Sequence, residues 1–263
     1  MSRQLLEKYG LAASRRFGQN FLINRGIHEK IIAAVAPVAT DTILEIGPGL
    51  GAITRCLAES GARIIAVDAD TRMIGVLQQE LAAFPNVQIV HADILQFDWS
   101  LVSCTTPIKI IGNIPYNITS PILFWLSDHR AKISTAILTM QREVAQRVMA
   151  PPGSHTYGAL SIDLQVVAHI ERLFDISPNS FFPAPKVTSS TIRVRFPDPP
   201  PYPVRDLEHF RRVVRTAFGK RRKMLRNTIP PAALEHAQID PTRRPESLTI
   251  EEFVRLAEFV YAA

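Results

Sequence analysis

The stretch TILEIGPGLGAITRCLAESGARIIAVDAD, residues 42 to 70, decides the fold. It opens on an apolar, β-branched run, Thr42 to Ile46, and turns through Gly47, Gly49 and Gly51. A helical pattern follows over residues 51 to 60, then a second apolar run, Arg63 to Val67, that ends in Asp68. Strand, glycine turn, helix and strand make a βαβ unit, and such a parallel crossover requires a sheet covered on both faces. Outward from this unit the alternation continues. Strands are predicted at VQIV (87 to 90), IKII (108 to 111) and STAILTM (134 to 140). Helices are predicted at TRMIGVLQQELAAF, with Asp70 or Thr71 as N-cap, at SPILFWLSD and at QREVAQRVMA. After the loop PPGSHTYG comes one more helical stretch, then TIRVRF, whose Ile192, Val194 and Phe196 share a face. The expected fold class is α/β, a doubly wound Rossmann-like sheet with added antiparallel strands.

The segment FPDPPPYPVRD (196 to 206) ends this pattern, because consecutive prolines continue neither a helix nor a central strand. Beyond it, RDLEHFRRVVRTAF, KRRKMLRNTI and TIEEFVRLAEFVYAA read as short helices. A larger α/β domain over residues 1–198 followed by a small helical domain over 199–263 is the expected organisation.

Composition bounds the function classes. With 263 residues, 46% hydrophobic and 21% charged, the chain holds one sizeable core and a small second domain. No apolar run approaches the roughly 18 residues of a membrane span. The N-terminal MSRQLLEKYGLAASRRFGQ lacks the apolar core of a secretory signal, so a cytoplasmic chain is expected. Cys56 and Cys104 have neither zinc-site nor disulfide-framework spacing, and His91, His155 and His169 show no ligand spacing. No metal is expected. The formal charge is +6, and residues 205 to 263 carry 12 basic against 8 acidic groups, compared with 18 and 16 in residues 1 to 204. A basic tail suits a polyanionic partner, although basic residues on amphipathic helices also serve as a solvated face.

The first chemical motif is ILEIGPGLG (43 to 51). Its glycines permit unusual dihedrals and close approach of a ligand to the backbone. Asp68 ends the second strand, where a carboxylate can accept both hydroxyl hydrogens of a ribose. Together they indicate a nucleoside-containing ligand. A dinucleotide pyrophosphate normally sits on a GxGxxG loop. Here the loop runs GxGxG with Pro48 inside and Glu45 just before it, and a carboxylate opposes an anion. The run better suits S-adenosylmethionine, whose sulfonium and ammonium are cationic. Whether Glu45 touches the ligand, orders the loop or caps neighbouring amides is open at this stage. Asp93, in HADIL after the third strand, is either an acceptor for an adenine amino group or a turn cap.

The second motif is IKIIGNIPYNITSPI (108 to 122), where polar Asn113 stands at the exit of an apolar strand beside a proline. Adjacent parallel strands open onto a common crevice, so Asn113 to Tyr116 lie beside the ligand of the glycine turn. An exocyclic amine is a poor nucleophile because its lone pair is delocalised into the base. Acceptors such as the Asn113 side-chain oxygen and the Ile114 carbonyl can bind its two hydrogens and hold that lone pair towards a methyl donor. Pro115 stiffens the turn, and Tyr116 offers a ring for stacking an extruded base. Catalysis would then rest on orientation and electrostatics, without an obligatory strong base.

Seven blocks in order carry a resemblance to a known family. They are FGQNFLIN (17 to 24), ILEIGPGLGAIT (43 to 54), HADIL (91 to 95), GNIPYNITSPI (112 to 122), TYGALS (156 to 161), FFPAPKVTSS (181 to 190) and FGKRRKMLRN (218 to 227). The chain resembles, over almost its whole length, the bacterial ribosomal RNA adenine dimethyltransferases of the kasugamycin-resistance type, class I methyltransferases. The resemblance implies S-adenosylmethionine-dependent dimethylation of two adjacent adenosines near the 3′ end of small-subunit rRNA during subunit assembly, by a monomer. It makes residues 1–198 the S-adenosylmethionine-binding domain and 199–263 the rRNA-docking domain. It also implies that Asn20 and Leu22 border the cofactor, that Gly47 and Gly49 hold its methionine portion, and that Asp68 takes its ribose and Asp93 its adenine. Asn113 would serve both cofactor and target amine, and Phe181 would sandwich the target adenine against Tyr116. One departure stands out, since the family more usually has Glu where this chain has Asp68.

The remaining basic residues fit RNA handling. Arg15 and Arg16 beside Phe17 are expected to clamp a phosphate. In RDLEHFRRVVRTAF, Phe210, Val213, Val214 and Phe218 are expected to form a core stripe while Arg211, Arg212 and Arg215 face outward. With Lys220, Arg221, Arg222 and Lys223 these form the densest basic cluster, expected to dock rRNA backbone through Arg221 and Arg222. Two alternatives are a large-subunit rRNA adenine methylase of the antibiotic-resistance type and a mainly non-catalytic assembly factor.

Overall fold

The computed structural model describes residues 2–14, 17–104, 106–220 and 223–259. Among these, the strands are β1 (Phe21–Leu22), β2 (Thr42–Ile46), β3 (Arg63–Asp68), β4 (Val87–His91), β5 (Ile108–Asn113), β6 (Ile133–Gln141), β7 (His169–Ile176), β8 (Phe181–Phe182) and β9 (Ser189–Arg195). The α-helices are α1 (Ser2–Lys8), α2 (Arg25–Val35), α3 (Ala52–Ala58), α4 (Thr71–Glu80), α5 (Thr119–Asp128), α6 (Arg142–Val148), α7 (Ala159–Gln165), α8 (Leu207–Phe218), α9 (Pro231–His236) and α10 (Ile250–Phe259). Met1–Ala145 with Glu171–Arg195 form one compact unit, and Gln146–Ile170 with Phe196–Ala263 form another.

The first unit is built on a seven-stranded sheet of order β4-β3-β2-β5-β6-β9-β7. β2 to β6 run parallel, and β9 returns antiparallel to β6. Continuous apolar runs explain the parallel part: Ile43, Leu44, Ile64, Ile65, Ile110 and Leu138 are fully buried. Each contributes on the order of 2 kcal/mol of transfer free energy. From β2 the chain winds out through β3 to β4, then crosses back to β5 and β6 on the other side. The winding reverses between β2 and β5, with Ile46 opposite Gly112. A crevice therefore opens at the carboxyl ends of these two strands.

The helix starts follow local chemistry. Asp70 is the N-cap of α4, its carboxylate accepting from the Arg72 backbone N–H, which settles the choice between Asp70 and Thr71. β1 pairs antiparallel with β8 in a separate two-stranded sheet that joins the N-terminal segment to the FFPAPKV block.

The second unit differs from the expected 199–263. Residues 146–170 sort with the C-terminal helices because α7 supplies the partner of a buried arginine. Arg211, expected to face outward, is buried, and its guanidinium donates to the buried carboxylate of Asp163 and to Glu208. Arg212 and Arg215 are exposed, while Phe210, Val213 and Val214 are buried as expected and Phe218 is partly so. KRRKMLRNTI forms only a single 3-10 turn among its described residues, Leu225–Asn227. HIERLFDI, not anticipated as a strand, is β7. No described helix is long and apolar enough to cross a membrane.

Candidate active site

The β2–β5 crevice holds a cavity of about 240 Å³. Its floor is the two strand exits, Ile46 to Gly49 and Asn113 to Ile118, and its sides are Val67 to Ala69 and Ala92 to Ile94. Phe17 to Phe21 form a further wall. A smaller cavity of about 50 Å³ shares Phe21, Gly47, Gly49 and Asn113 with it and adds Leu22, His28 and Glu45. Asn20, Gly47, Gly49, Asp68, Asp93, Asn113, Ile114, Pro115 and Tyr116, scattered over nearly a hundred residues, thus meet at one site, and Leu22 sits at its extension.

The glycine turn has the dihedrals its sequence requires, with φ of +65° at Gly47, +57° at Gly49 and +78° at Gly51. At Gly49 a Cβ would also lie 3.0 Å from the Phe21 ring. Gly112 fills a different need. A Cβ there would meet Ile114 Cδ1 at 2.7 Å and Ile46 at 3.1 Å, so glycine lets the end of β5 lie close beside β2.

The second loop is held rigidly. The Asn113 amide donates through Nδ2 to the Asn20 carbonyl at 2.9 Å, which orients the side chain and leaves Oδ1 as its acceptor end. The Ile114 N–H donates to the Thr139 carbonyl at 2.9 Å, fixing the Asn113–Ile114 peptide at the head of the loop. The Tyr116 hydroxyl is 2.8 Å from Ser189 Oγ, and burial pushes its ionisation up, so the phenol is neutral. Ser189, 73 residues away on β9, gave no signal in the sequence.

Two carboxyl groups are raised by their surroundings. Burial pushes Asp68 up to about 6, against the pull of the Asp70 and Gly49 backbone N–H groups; the Asp70 N–H donates to Asp68 Oδ1 at 2.8 Å. Glu45, 3% exposed, is pushed up to about 7 by burial, which outweighs the neighbouring Thr54 hydroxyl. Glu45 Oε2 has no hydrogen-bond partner among the described residues. Asp93 is both a cap and a cavity residue: Oδ1 accepts from the Leu95 N–H at 3.0 Å while the residue lines the wall.

These features test which cofactor class fits. Among the described lining residues there is no Lys or Arg, and two are carboxylates. A phosphate-bearing dinucleotide would be opposed by this wall, whereas a cationic nucleoside cofactor is matched by it, with Glu45 Oε2 as a further acceptor. The residues present fit S-adenosylmethionine.

The structure corrects one expectation. Phe181 does not line the cavity; it is 3% exposed and packs in the core with Leu22, Ile31, Ile111 and Ile176. The β8 register sets it opposite Leu22, and strand alternation sends Phe182 instead towards the cluster of Leu6, Phe21 and Met73. Phe17 and Gln19 are cavity residues to which the sequence reading assigned no cofactor role, although both lie in the quoted FGQNFLIN block. Arg15, Arg16, Arg221 and Arg222 lie outside the described residues. No group of three or more His, Cys, Asp or Glu suited to a metal ion occurs among the described residues.

Comparison with known proteins agrees with this geometry. The ribosomal RNA small subunit methyltransferase A of Hahella chejuensis is 39% identical over 260 residues, covering 97% of this chain and 95% of its own. A crystal structure of a dimethyladenosine transferase from Plasmodium falciparum superposes with a TM-score of 0.80 at 25% identity, covering 92% of this chain and 98% of its own. The 23S rRNA methyltransferase ErmE superposes with a TM-score of 0.71 at 26% identity, covering 91% and 98%. The family model described as ribosomal RNA adenine dimethylase matches residues 10–261, and with the cavity and its two strand exits the chain belongs to that family.

Proposed function

We propose that this chain dimethylates the exocyclic amines of two adjacent adenosines near the 3′ end of small-subunit rRNA, acting as a cytoplasmic monomer on an assembling subunit. The observation that carries the reading is the Asn113–Ile114–Pro115–Tyr116 loop, braced at the mouth of a cavity whose described lining holds no Lys or Arg. Bound S-adenosylmethionine supplies an electrophilic methyl group on its sulfonium. Asp68 would accept from the ribose hydroxyls, and Asp93, through the oxygen not engaged by Leu95, from the adenine amino group. Gly47, Gly49, Asn20, Leu22 and Glu45 would border the methionine end.

On the substrate side, Asn113 Oδ1 and the Ile114 carbonyl accept the two amine hydrogens, so the nitrogen lone pair is directed at the methyl donor. Because Asn20 orients the Asn113 amide and Thr139 pins the peptide just before Ile114, little reorganisation is needed at the moment of transfer. Tyr116, anchored by Ser189, stacks on the extruded base, and the proton released by the methylated nitrogen passes to solvent. Exposed Arg212, Arg215, Lys220 and Lys223 of the second unit would contact rRNA backbone.

ErmE, a large-subunit enzyme by its name, supports a second reading within the same chemistry. The Hahella chejuensis relative, named for the small subunit and 39% identical against 26% for ErmE, favours the small subunit. Incubating the protein and labelled S-adenosylmethionine with unmethylated small subunits, large subunits and free rRNA, then mapping the modified base, tests the choice. Dimethylated adjacent adenosines near the small-subunit 3′ end are expected. Label on a large-subunit adenine, or none on either, overturns the proposal.

A further inference from the structure

The wall formed by Phe17 to Phe21 belongs to an N-terminal arm whose described residues lie along α4. At the far end of that helix, Glu80 accepts from Lys8 Nζ and from the Tyr9 hydroxyl, both at 2.7 Å. In the middle, Leu6 and Phe21 pack against Met73 and Val76. At the near end, Gln19 bridges two groups: its Oε1 accepts from the Ser14 N–H at 2.9 Å, and its Nε2 donates to Asp70 Oδ2 at 2.9 Å. Asp70 is 2% exposed, and its own N–H holds Asp68 Oδ1. A single hydrogen-bonded chain therefore runs from the arm through Gln19 and Asp70 to the carboxylate assigned to the cofactor ribose.

We propose that Gln19 and Asp70 are positioning residues that latch the arm over the cofactor cavity and set the rate at which cofactor and its demethylated product exchange. The proposal rests on the methyltransferase reading and deepens it. Each transfer leaves a spent cofactor that must depart before the next, so the wall that encloses the reaction must also open. The arm contributes to that wall, and its attachment at the cavity end is polar and local. Asn113 Nδ2 also donates to the Asn20 carbonyl, and the charge-assisted bond between Gln19 and Asp70 is the tie on residues 17 to 20 that can be cut without touching the Asn113 loop.

Stopped-flow measurement of the dissociation of S-adenosylhomocysteine from the full-length protein tests this. Gln19→Ala, which removes the bridge, and Gln19→Glu, which sets a carboxylate against Asp70, are each expected to raise the dissociation rate by roughly tenfold. Asp70 also pairs with the Arg72 guanidinium; the exchanged pair Gln19→Glu with Asp70→Asn restores a donor opposite an acceptor with the polarity reversed, offers Arg72 the new carboxylate at position 19, and leaves Asn to cap α4. It is expected to return the rate to within about threefold of the parent, a rescue that general destabilisation of the fold would not produce. An unchanged rate in both single variants, or a double variant as fast as the singles, overturns the latch. A parent that binds neither S-adenosylmethionine nor its product overturns the functional reading itself, a result distinct from a parent that binds and variants that do not differ.

Discussion

Two neighbouring strand exits meet at the site, and they are built in opposite ways. The β2 exit turns on glycines at positive φ that offer no side chains, and it follows a buried glutamate with one oxygen that has no hydrogen-bond partner among the described residues. The β5 exit carries Asn113, Pro115 and Tyr116, each fixed by a ring or a hydrogen bond to another element. The first loop gives way so that a ligand can approach the backbone. The second grips. A methyltransferase needs both, since the donor must be enclosed while the poorly nucleophilic amine must be held in one orientation.

The comparison breaks first at Asn113. Asn113→Ala removes an acceptor from the gripping loop and is expected to lower methyl transfer by roughly 100- to 1,000-fold. Calorimetry should show S-adenosylmethionine binding weakened far less; equal losses in both would mean the two exits do not divide the work.

The yielding side is tested through pH. Glu45 and Asp68 both have folded values above the ordinary carboxylate range, about 7 and about 6. The folded chain then binds more protons than the unfolded chain between about pH 4 and 7, so stability is greatest below that window and falls as pH rises through it. For Glu45 the loss is at most about 3 kcal/mol. Thermal unfolding of the cofactor-free protein should therefore show a higher Tm at pH 5 than at pH 8. The Tm gain on adding S-adenosylmethionine should be larger at pH 8, where both carboxylates are ionised. Glu45→Gln should flatten the first trend.

A smaller effect is expected at Gly49. Gly49→Ala meets both a strained φ and the Phe21 ring, which should cost about 1–3 kcal/mol of stability and weaken cofactor binding, read by denaturant titration and calorimetry. The smallest is Tyr116→Phe, which keeps the ring and loses only its anchor to Ser189. Roughly a tenfold fall in kcat/KM is expected, against a much larger fall for Tyr116→Ala.

How much of this was legible in the sequence differs by region for physical reasons. Four of the five parallel strands, β2, β3, β5 and β6, are largely buried and the outer strand β4 is partly so, and their apolar runs announced them, while the glycine turn and the Asn-Ile-Pro-Tyr quartet carry their chemistry in adjacent residues. β7 was not legible. It closes one edge of the sheet, where its exposed Glu171 and Arg172 obscure any clean alternation. The two-residue pairing of β1 with β8 is too short to leave a period. Arg211 looked like a surface residue because its partner, Asp163, is 48 positions away. Phe181 and Phe182 are adjacent phenylalanines whose faces only the register of β8 distinguishes.

The cavity wall, with no cation among its described residues, has a cellular consequence. ATP, ADP and the nicotinamide dinucleotides share an adenosine half with S-adenosylmethionine and are abundant wherever ribosomes are made. A pocket that recognised that half through hydrogen bonds alone would be occupied by them much of the time. Asp68 and Asp93 on the wall, with no lysine or arginine among the described lining residues to neutralise a phosphate, oppose the phosphates of those metabolites by charge repulsion. Selectivity among adenine nucleotides would then rest on what the pocket withholds.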